Sequence, residues 1–564
     1  MTRFSCVLII VSVAAVLGCT KNLPELDSIS ENGVGIRPLT QTERNEDFEI
    51  LVSSFREFYG PLKFKEKRFG FDFEQLVKES RAEVAAATSD DEMYGAFKRF
   101  ITHFHDGHVS LSPGPQKISS FTVPIALTSV EGRIFIGSFF NETVAGETGF
   151  SIGDEVTAID GKAPSDYLPT ILKYDSMGND LTDKQLILRA LRRPSYISEL
   201  KPTSPTVRLT AKNAAGVVFE KTLIWNVRSD DYVNRAVVGL AALENAYSPE
   251  AADIAKATLL QMGDAAPFFA TPAVETALEL IRVKPSDKFL SKYGLTDAKK
   301  VPDLYAALYR FEGKNLLLVR QPTYEVQDPS ERIAWFKAVL DEYGKLADAL
   351  VLDQTHNPGG SISYADDFVS IFSHQDTRGL VNFLHPDRRW LSAFQAMDDS
   401  SSSSPEIKNI AELGYKLVEE AYDQGLPLTK FPIGLMRSDY IRPAKDFVFG
   451  KPVLLLIDEI AGSCGDMVPA MFKANKLATL FGTRTMGLGG NVETVARLPH
   501  SQAELNLTRG MTAIYSATGV YDLDHPIENN GVDPDIPYAI TASDFRSGYV
   551  DYVRAFSHAA ATLH

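Results

Sequence analysis

Three short, almost wholly apolar runs, Asn315 to Val319, Ala349 to Leu352 and Val453 to Ile457, constrain this chain more than any other feature. A strand with one wet face alternates apolar and polar residues, so an unbroken apolar run implies a strand covered on both faces. Helical periodicity between the runs, as in Ile333 to Leu346, supplies the cover and predicts βα crossovers around an α/β core. In such cores the reactive residues gather where the strands end. The second run continues as Asp353-Gln354-Thr355-His356-Asn357-Pro358-Gly359-Gly360, and the third as Asp458-Glu459-Ile460-Ala461-Gly462-Ser463-Cys464-Gly465-Asp466. The chemistry is sought in those two loops.

Composition sets the outer bounds. The chain has 564 residues, 44% hydrophobic and 23% charged, which excludes a collagen-like, disordered or polytopic membrane protein. At roughly 150 residues per domain the length predicts about three or four units, each able to bury its own core. With 57 Lys+Arg against 73 Asp+Glu the formal charge is −16, so there is no basic footprint for a phosphate backbone and no nucleic acid partner is expected.

Arg3 followed by an apolar stretch from Phe4 to Leu17 has the form of a secretory signal and is too short to span a bilayer. Val16-Leu17-Gly18-Cys19 at its end resembles the lipobox of bacterial lipoproteins, which implies removal of residues 1–18 and lipidation of Cys19. The expectation is an exported protein anchored in the bacterial cell envelope, in the periplasm or at the outer membrane of a Gram-negative cell. The alternative is an ordinary signal peptide with a chance cysteine. Cys6 leaves with the signal and Cys19 carries lipid, so only Cys464 remains a thiol and no intrachain disulfide is expected.

Residues 19–40 are polar and aperiodic, as a tether is. Residues 41–113 show helical spacing, with Phe55, Phe58 and Leu62 and later Met93, Phe97 and Ile101, and predict a helical unit. Over 114–230 the pattern turns to short β-like runs, Phe121 to Leu127 and Arg133 to Phe140. Then come Gly149-Phe150-Ser151-Ile152-Gly153-Asp154-Glu155-Val156 and Ala158-Ile159-Asp160-Gly161-Lys162, which resemble the core of a PDZ domain. A PDZ domain binds a peptide by adding it as a strand, but the Gly-Leu-Gly-Phe loop that takes a free C-terminus is missing, and a structural spacer is the alternative. Residues 231–300 form an Ala-rich helical insert, 301–545 the α/β core and 546–564 a C-terminal helix. Ser400 to Ser404 reads as an exposed loop before a helix from Ile407 to Tyr422. No internal repeat is present.

Taken with Arg320-Gln321-Pro322-Thr323-Tyr324, the two glycine-containing loops are similar to the core of the C-terminal processing (tail-specific) serine proteases, a family that also carries a PDZ domain. The likeness covers about residues 90–230 and 310–540 and implies a ClpP/crotonase-like α/β (α+β) core. It makes Ser463 the nucleophile. A serine at a strand-to-helix turn sits over a helix N-terminus, where unpaired N–H groups favour negative charge. Pro469 then belongs to the first turn, with the regular helix starting near Asp466. The N–H of Cys464 and one from Gly359 or Gly360 are the expected oxyanion hole.

One departure matters. Most of the family uses a lysine as general base in a Thr-Phe-Gly-Lys-Gly stretch, and here that segment reads Thr485-Met486-Gly487-Leu488-Gly489-Gly490. Leucine accepts no proton. The replacement is sought in His103-Phe104-His105-Asp106-Gly107-His108, because neutral imidazole has the right pKa to take a serine proton near pH 7. The branch of the family typified by the chlamydial protease-like activity factor uses such an upstream histidine and a late glutamate. This chain resembles it in Asp106 to His108, Asp353-Gln354-Thr355, Asp466, Gly482-Thr483-Arg484-Thr485 and Ile527-Glu528-Asn529. The resemblance implies a Ser463, His108 and Glu528 triad, Glu528 orienting and charge-stabilising the imidazolium directly or through water.

Other readings stay open on the residues alone. His103, His105 and His108 have a loose metal-ligand spacing, although no metal or other cofactor is expected. Cys464 is an alternative nucleophile. Gly487 to Gly490 resembles a phosphate loop but lacks its Lys-Ser/Thr. His356 either binds substrate or is structural. Related domains in interphotoreceptor retinoid-binding protein hold apolar ligands without proteolysis, so a non-catalytic carrier is the alternative to a secreted, lipid-anchored serine endopeptidase. A protease silenced by the 232–298 insert is a third reading. The expected partners are protein or peptide substrates and the membrane; a homodimer stays open.

Overall fold

Four capped helices open the described part of the chain. α1 (Gln41–Phe58) starts at Thr40, whose hydroxyl accepts from the Glu43 N–H while the Glu43 carboxylate accepts from the Thr40 N–H. α2 (Leu62–Phe69) ends on left-handed Gly70, α3 (Phe73–Ala86) is capped by Asp72 and α4 (Asp90–Thr102) by Ser89. Their apolar faces meet in an aromatic knot in which Phe55 stacks on Phe104 at 4.4 Å and Phe100 meets both edge-on. The knot fixes the end of α4, from which the chain runs to His108.

The computed structural model describes residues 37–114, 118–138, 148–230, 266–401, 403–434, 440–514, 523 and 526–563. The expected signal peptide, Cys19 and residues 231–265 of the insert lie outside the described residues.

Five antiparallel strands follow in simple order: β1 (Ala126–Val130), β2 (Arg133–Ser138), β3 (Glu155–Ile159), β4 (Thr206–Lys212) and β5 (Val218–Ile224). The turn after β3 has positive φ at Asp160 and Gly161, as the Asp-Gly pair requires. This sheet does not bury a core of its own. Ile134, Val156, Val207 and Leu209 join the apolar residues of α1, α3 and α4, together with Leu498, Leu505 and Leu507 from far along the chain, in one continuous cluster. A small helical unit and a single sheet each have one apolar face, and each face covers the other.

The α/β core is a seven-stranded sheet whose spatial order follows the chain: β6 (Ile281–Arg282), β7 (Ala306–Phe311), β8 (Lys314–Arg320), β9 (Ala349–Asp353), β10 (Val453–Ile457), β11 (Thr479–Gly482) and β12 (Ile536–Pro537). The strands from β8 to β12 are parallel and the first two pairings antiparallel. The sheet thus starts within residues 231–300, where β6 lies between two short helices, Pro272–Leu278 and Asp287–Lys292, and pairs with β7 beyond them.

The unbroken apolar runs now have their cause. Leu317, Val319, Leu350, Leu352, Val453 and Leu455 point into one core with α5 (Pro329–Tyr343), α6 (Ile362–Ser370) and α7 (Cys464–Ala474). Their neighbours Leu316, Leu318, Ala349, Val351, Leu454 and Leu456 point into a second core closed by α8 (Val550–Ala561). A helical hairpin, Arg388–Asp399 and Pro405–Asp423, lies between β9 and β10 in the chain, with Ser400, Ser401 and Ser403 between its helices and Ser404 capping the second.

Candidate active site

At the end of β10 the chain reverses within a few residues because one carboxylate gathers its amides. Asp458 accepts the N–H groups of Ile460 and Ala461 at 3.2 and 3.0 Å and that of His356 at 2.9 to 3.0 Å. Ser463 then caps α7 with φ 58° and ψ −120°, outside the regions that non-glycine residues favour. Such a residue costs about 1 to 3 kcal/mol and persists only where its surroundings over-determine it. They do so here: Gly462 N–H donates to the Asn357 carbonyl at 2.9 Å, and the N–H groups of Asp466 and Met467 donate to the Ser463 carbonyl at 2.8 and 2.9 Å.

The helix begins at Cys464 rather than near Asp466, so Pro469 lies inside it and not in its first turn. Proline there frees the carbonyl four residues back, that of Gly465. Gln354 Nε2 donates to this carbonyl at 2.9 Å, which is why the helix tolerates the proline.

The glycine loop lies against this corner. A Cβ on Gly359 (φ 95°) would come within 2.6 Å of Ser463 Cβ and 2.7 Å of the Cys464 nitrogen, and one on Gly360 within 2.0 Å of the Glu325 nitrogen. The Gly359 N–H is committed to Asn357 Oδ1 at 2.9 Å. Among the described residues no acceptor takes the N–H of Gly360 or of Cys464, and the latter, as the first helical residue, has no intrahelical partner. The Cys464 thiol points the other way, fully buried with its sulfur 3.1 Å from the Gly360 carbonyl, and burial pushes its pKa far above the ordinary thiol range. It is a packing residue, not an activated nucleophile.

His108 stands on a turn tied at both ends. Asp106 Oδ1 accepts the His108 N–H at 2.9 Å, Asp106 Oδ2 accepts the Tyr59 hydroxyl at 2.9 Å, and Ser110–Leu111 pairs with Asn506 and Leu505. Nδ1 of His108 is out of solvent and makes no hydrogen bond with any described residue. Burial lowers the pKa of the ring; Asp106 opposes and Lys65 adds to that effect, and the net shift is downward. The imidazole is therefore neutral at pH 7, the state a base needs.

Leu488 explains the missing lysine. Its amide and that of Gly487 donate to buried Asp466 at 2.8 Å each, and burial raises this carboxyl to about 6 against those bonds. The leucine side chain fills the space between two glycines: a Cβ on Gly107 would lie 2.5 Å from Leu488 Cδ2, and one on Gly462 3.0 Å from Leu488 Cδ1. The histidine turn and the serine turn are thus neighbours across Leu488.

Glu528 is fully buried. Its Oε2 accepts the Gly489 N–H at 2.8 Å, and its Oε1 pairs with Lys65 Nζ, also fully buried. Burial, and next the Asp106 charge, raise Glu528 to about 7 against the pull of Lys65 and the Gly489 N–H. No hydrogen bond joins Glu528 to His108; the two share Lys65 and Asp106 as neighbours. Lys65 was not legible in the sequence, because α2 reads Leu-Lys-Phe-Lys-Glu-Lys-Arg-Phe and nothing local marks one of its cations as buried.

The remaining histidines separate. His103 is exposed with Nδ1 on the Arg99 carbonyl, and His105 bonds Ser176 and packs on Phe69. Burial, then the Lys65 charge, lower His105 to about 4. His356 bonds Asp458 through Nδ1 at 2.5 Å and lies on Phe268; burial pulls its pKa down, and the Asp458 charge and hydrogen bond more than reverse this. Gly487 to Gly490 wraps Asp466 and Glu528 rather than opening toward a ligand.

Residues 316–538 match peptidase family S41, and residues 119–250 match a PDZ domain. A Chlamydia pneumoniae protein is 22% identical over 92% of this chain and 90% of its own length. A Chlamydia muridarum protein is 24% identical over 92% of each. The crystal structure of mature CPAF superposes with a TM-score of 0.70 at 20% identity, covering 91% of this chain and 96% of that one, which shows a shared fold.

The depressed His108 pKa is directly measurable. In the Ser463→Ala protein, the His108 ring is expected to titrate by NMR below 6.5; a midpoint above 6.5 would contradict the neutral imidazole with its Nδ1 out of solvent described here.

Proposed function

We propose that this chain, a serine protease with a peptidase family S41 domain and a PDZ domain, cleaves protein substrates through Ser463, His108 and Glu528. The Ser463 hydroxyl attacks the scissile carbonyl carbon as its proton passes to His108. The new alkoxide is held by the N–H groups of Cys464 and Gly360, since that of Gly359 is already used. His108 returns the proton to the leaving amine as the C–N bond breaks, and water then hydrolyses the acyl-enzyme by the same path. Glu528 supports the imidazolium through charge rather than a hydrogen bond, beside Asp106 and against Lys65.

The observation that carries this reading is the strained Ser463 corner, packed against Gly359 and facing the histidine turn across Leu488. The leucine occupies the segment where related enzymes keep their lysine, so the base has to come from another element. The carrier alternative gives way to the peptidase match. Export and lipid anchoring through Cys19 are proposed on the N-terminal sequence, Arg3, the apolar run and the lipobox-like Leu17-Gly18-Cys19.

With fluorescently labelled casein as probe, Ser463→Ala and His108→Ala are expected to lower kcat/KM by about 10³-fold or more while leaving the thermal midpoint in place. Retention of a tenth of the activity in either variant would sink the assignment. Cys19→Ser is expected to abolish incorporation of radiolabelled palmitate and release the protein from the membrane fraction; continued labelling would refute the anchor.

A further inference from the structure

Lys65 is buried, charged and used by no step described above. Its Nζ donates to Glu528, to Asn529 Oδ1 at 2.6 Å and to the His105 carbonyl at 3.2 Å, so all three of its protons are taken. Arg68, one turn on, donates to the Asn529 carbonyl and Asn530 Oδ1 at 3.0 Å each. Asn529 closes the ring by donating to the His105 and Met177 carbonyls. One face of α2 is therefore dedicated to the loop that carries Glu528 and to the turn that leads to His108.

We propose that Lys65 is a positioning residue of this protease: its ammonium holds Glu528 as a carboxylate and fastens the Glu528 loop to the histidine turn. The role rests on the Ser463, His108 and Glu528 reading. It follows from what a fully buried carboxyl does alone. Without an opposite charge, burial drives such a group to its neutral form, and Asp106 pushes the same way. Glu528 is raised even with Lys65 beside it, and among the described residues the Gly489 N–H would be the hydrogen bond left to oppose the proton. Lys65 is not a displaced general base, because it donates three hydrogen bonds and has no lone pair to offer.

The sign of the pH effect is fixed by the groups around the pair. These are Tyr59 at the end of α1, Lys65 and Arg68 on α2, His105, Asp106 and His108 on the turn after α4, and Glu528 itself. Remove Lys65 and two outcomes are open to Glu528. If it stays ionised, His108 loses a repelling cation and faces two unopposed carboxylates, so its pKa rises. If it takes up a proton, that proton must leave again at higher pH before the support returns. Both move the acid limb of reactivity to higher pH.

The test is the rate at which a fluorophosphonate modifies Ser463, followed across pH in the full-length wild-type protein and in Lys65→Met, Glu528→Gln and the double variant. Lys65→Met is expected to react at least 10-fold more slowly at pH 7, with its acid limb about one unit higher. The double variant is expected to react within threefold of Glu528→Gln, because Lys65 acts through Glu528. Lys65→Met reacting like wild type, or losses that multiply in the double variant, would overturn the proposal. Should Lys65→Met fail to fold, Lys65→Arg, which keeps the cation, replaces it and is expected to retain the wild-type acid limb, while a further loss in the double variant over Glu528→Gln would still overturn the proposal, since removing both charges leaves neither unpaired. Absence of Ser463-dependent modification in the wild type would remove the protease-site reading itself and Lys65's role with it. Normal wild-type reactivity with an unchanged lysine variant would remove only the role of Lys65.

Discussion

The histidine and the serine of this site come from opposite ends of the chain, and the junction that brings them together is a buried set of hydrogen bonds around Lys65, Glu528 and Asn529. Three parts of the protein meet there. The helical unit supplies Lys65, Phe69 and His105, the PDZ region supplies Met177 to Asn179, and the core supplies Thr485 to Gly489 with the 528–530 loop. A Cβ on Gly178 would come within 3.0 Å of Phe69, His105 and Asn529 at once. Asn179 Nδ2 donates to the carbonyls of Thr485 and Met486 at 2.8 and 3.0 Å. The junction ties the histidine turn to the core that carries Ser463, although neither His108 nor Ser463 belongs to it.

Charges in such a place are expensive, and their burial is weak evidence for stability. Their arrangement makes sense instead as a local field. Asp106 and Glu528 flank one cation, and a neutral imidazole sits beside them with its own pKa lowered. A proton on His108 is favoured by Asp106 and opposed by Lys65. Leu488 puts an apolar side chain between the histidine turn and the serine turn.

Much of this was legible in the sequence because it depends on local pattern. Alternate residues of Leu316 to Val319 serve two cores, so the run reads as apolar throughout, and the Ser463 corner follows from its place between such a strand and a helix. The PDZ region was marked by its glycines and aspartates. What escaped was tertiary. Lys65 looks like Lys63 and Lys67 until the fold buries it. Pro469 reads as a helix-start residue because the amide that rescues it, from Gln354, comes from another loop. The helical unit and the PDZ sheet read as separate bodies because a single apolar face does not declare its partner.

The central proposal is that Ser463 is activated by a histidine, His108. Treating the protein with a fluorophosphonate probe and mapping the adduct by peptide mass spectrometry tests it most directly. The account predicts one adduct, on Ser463, in the wild type and none in His108→Ala. An adduct on another residue, or one on Ser463 that survives loss of His108, would contradict it.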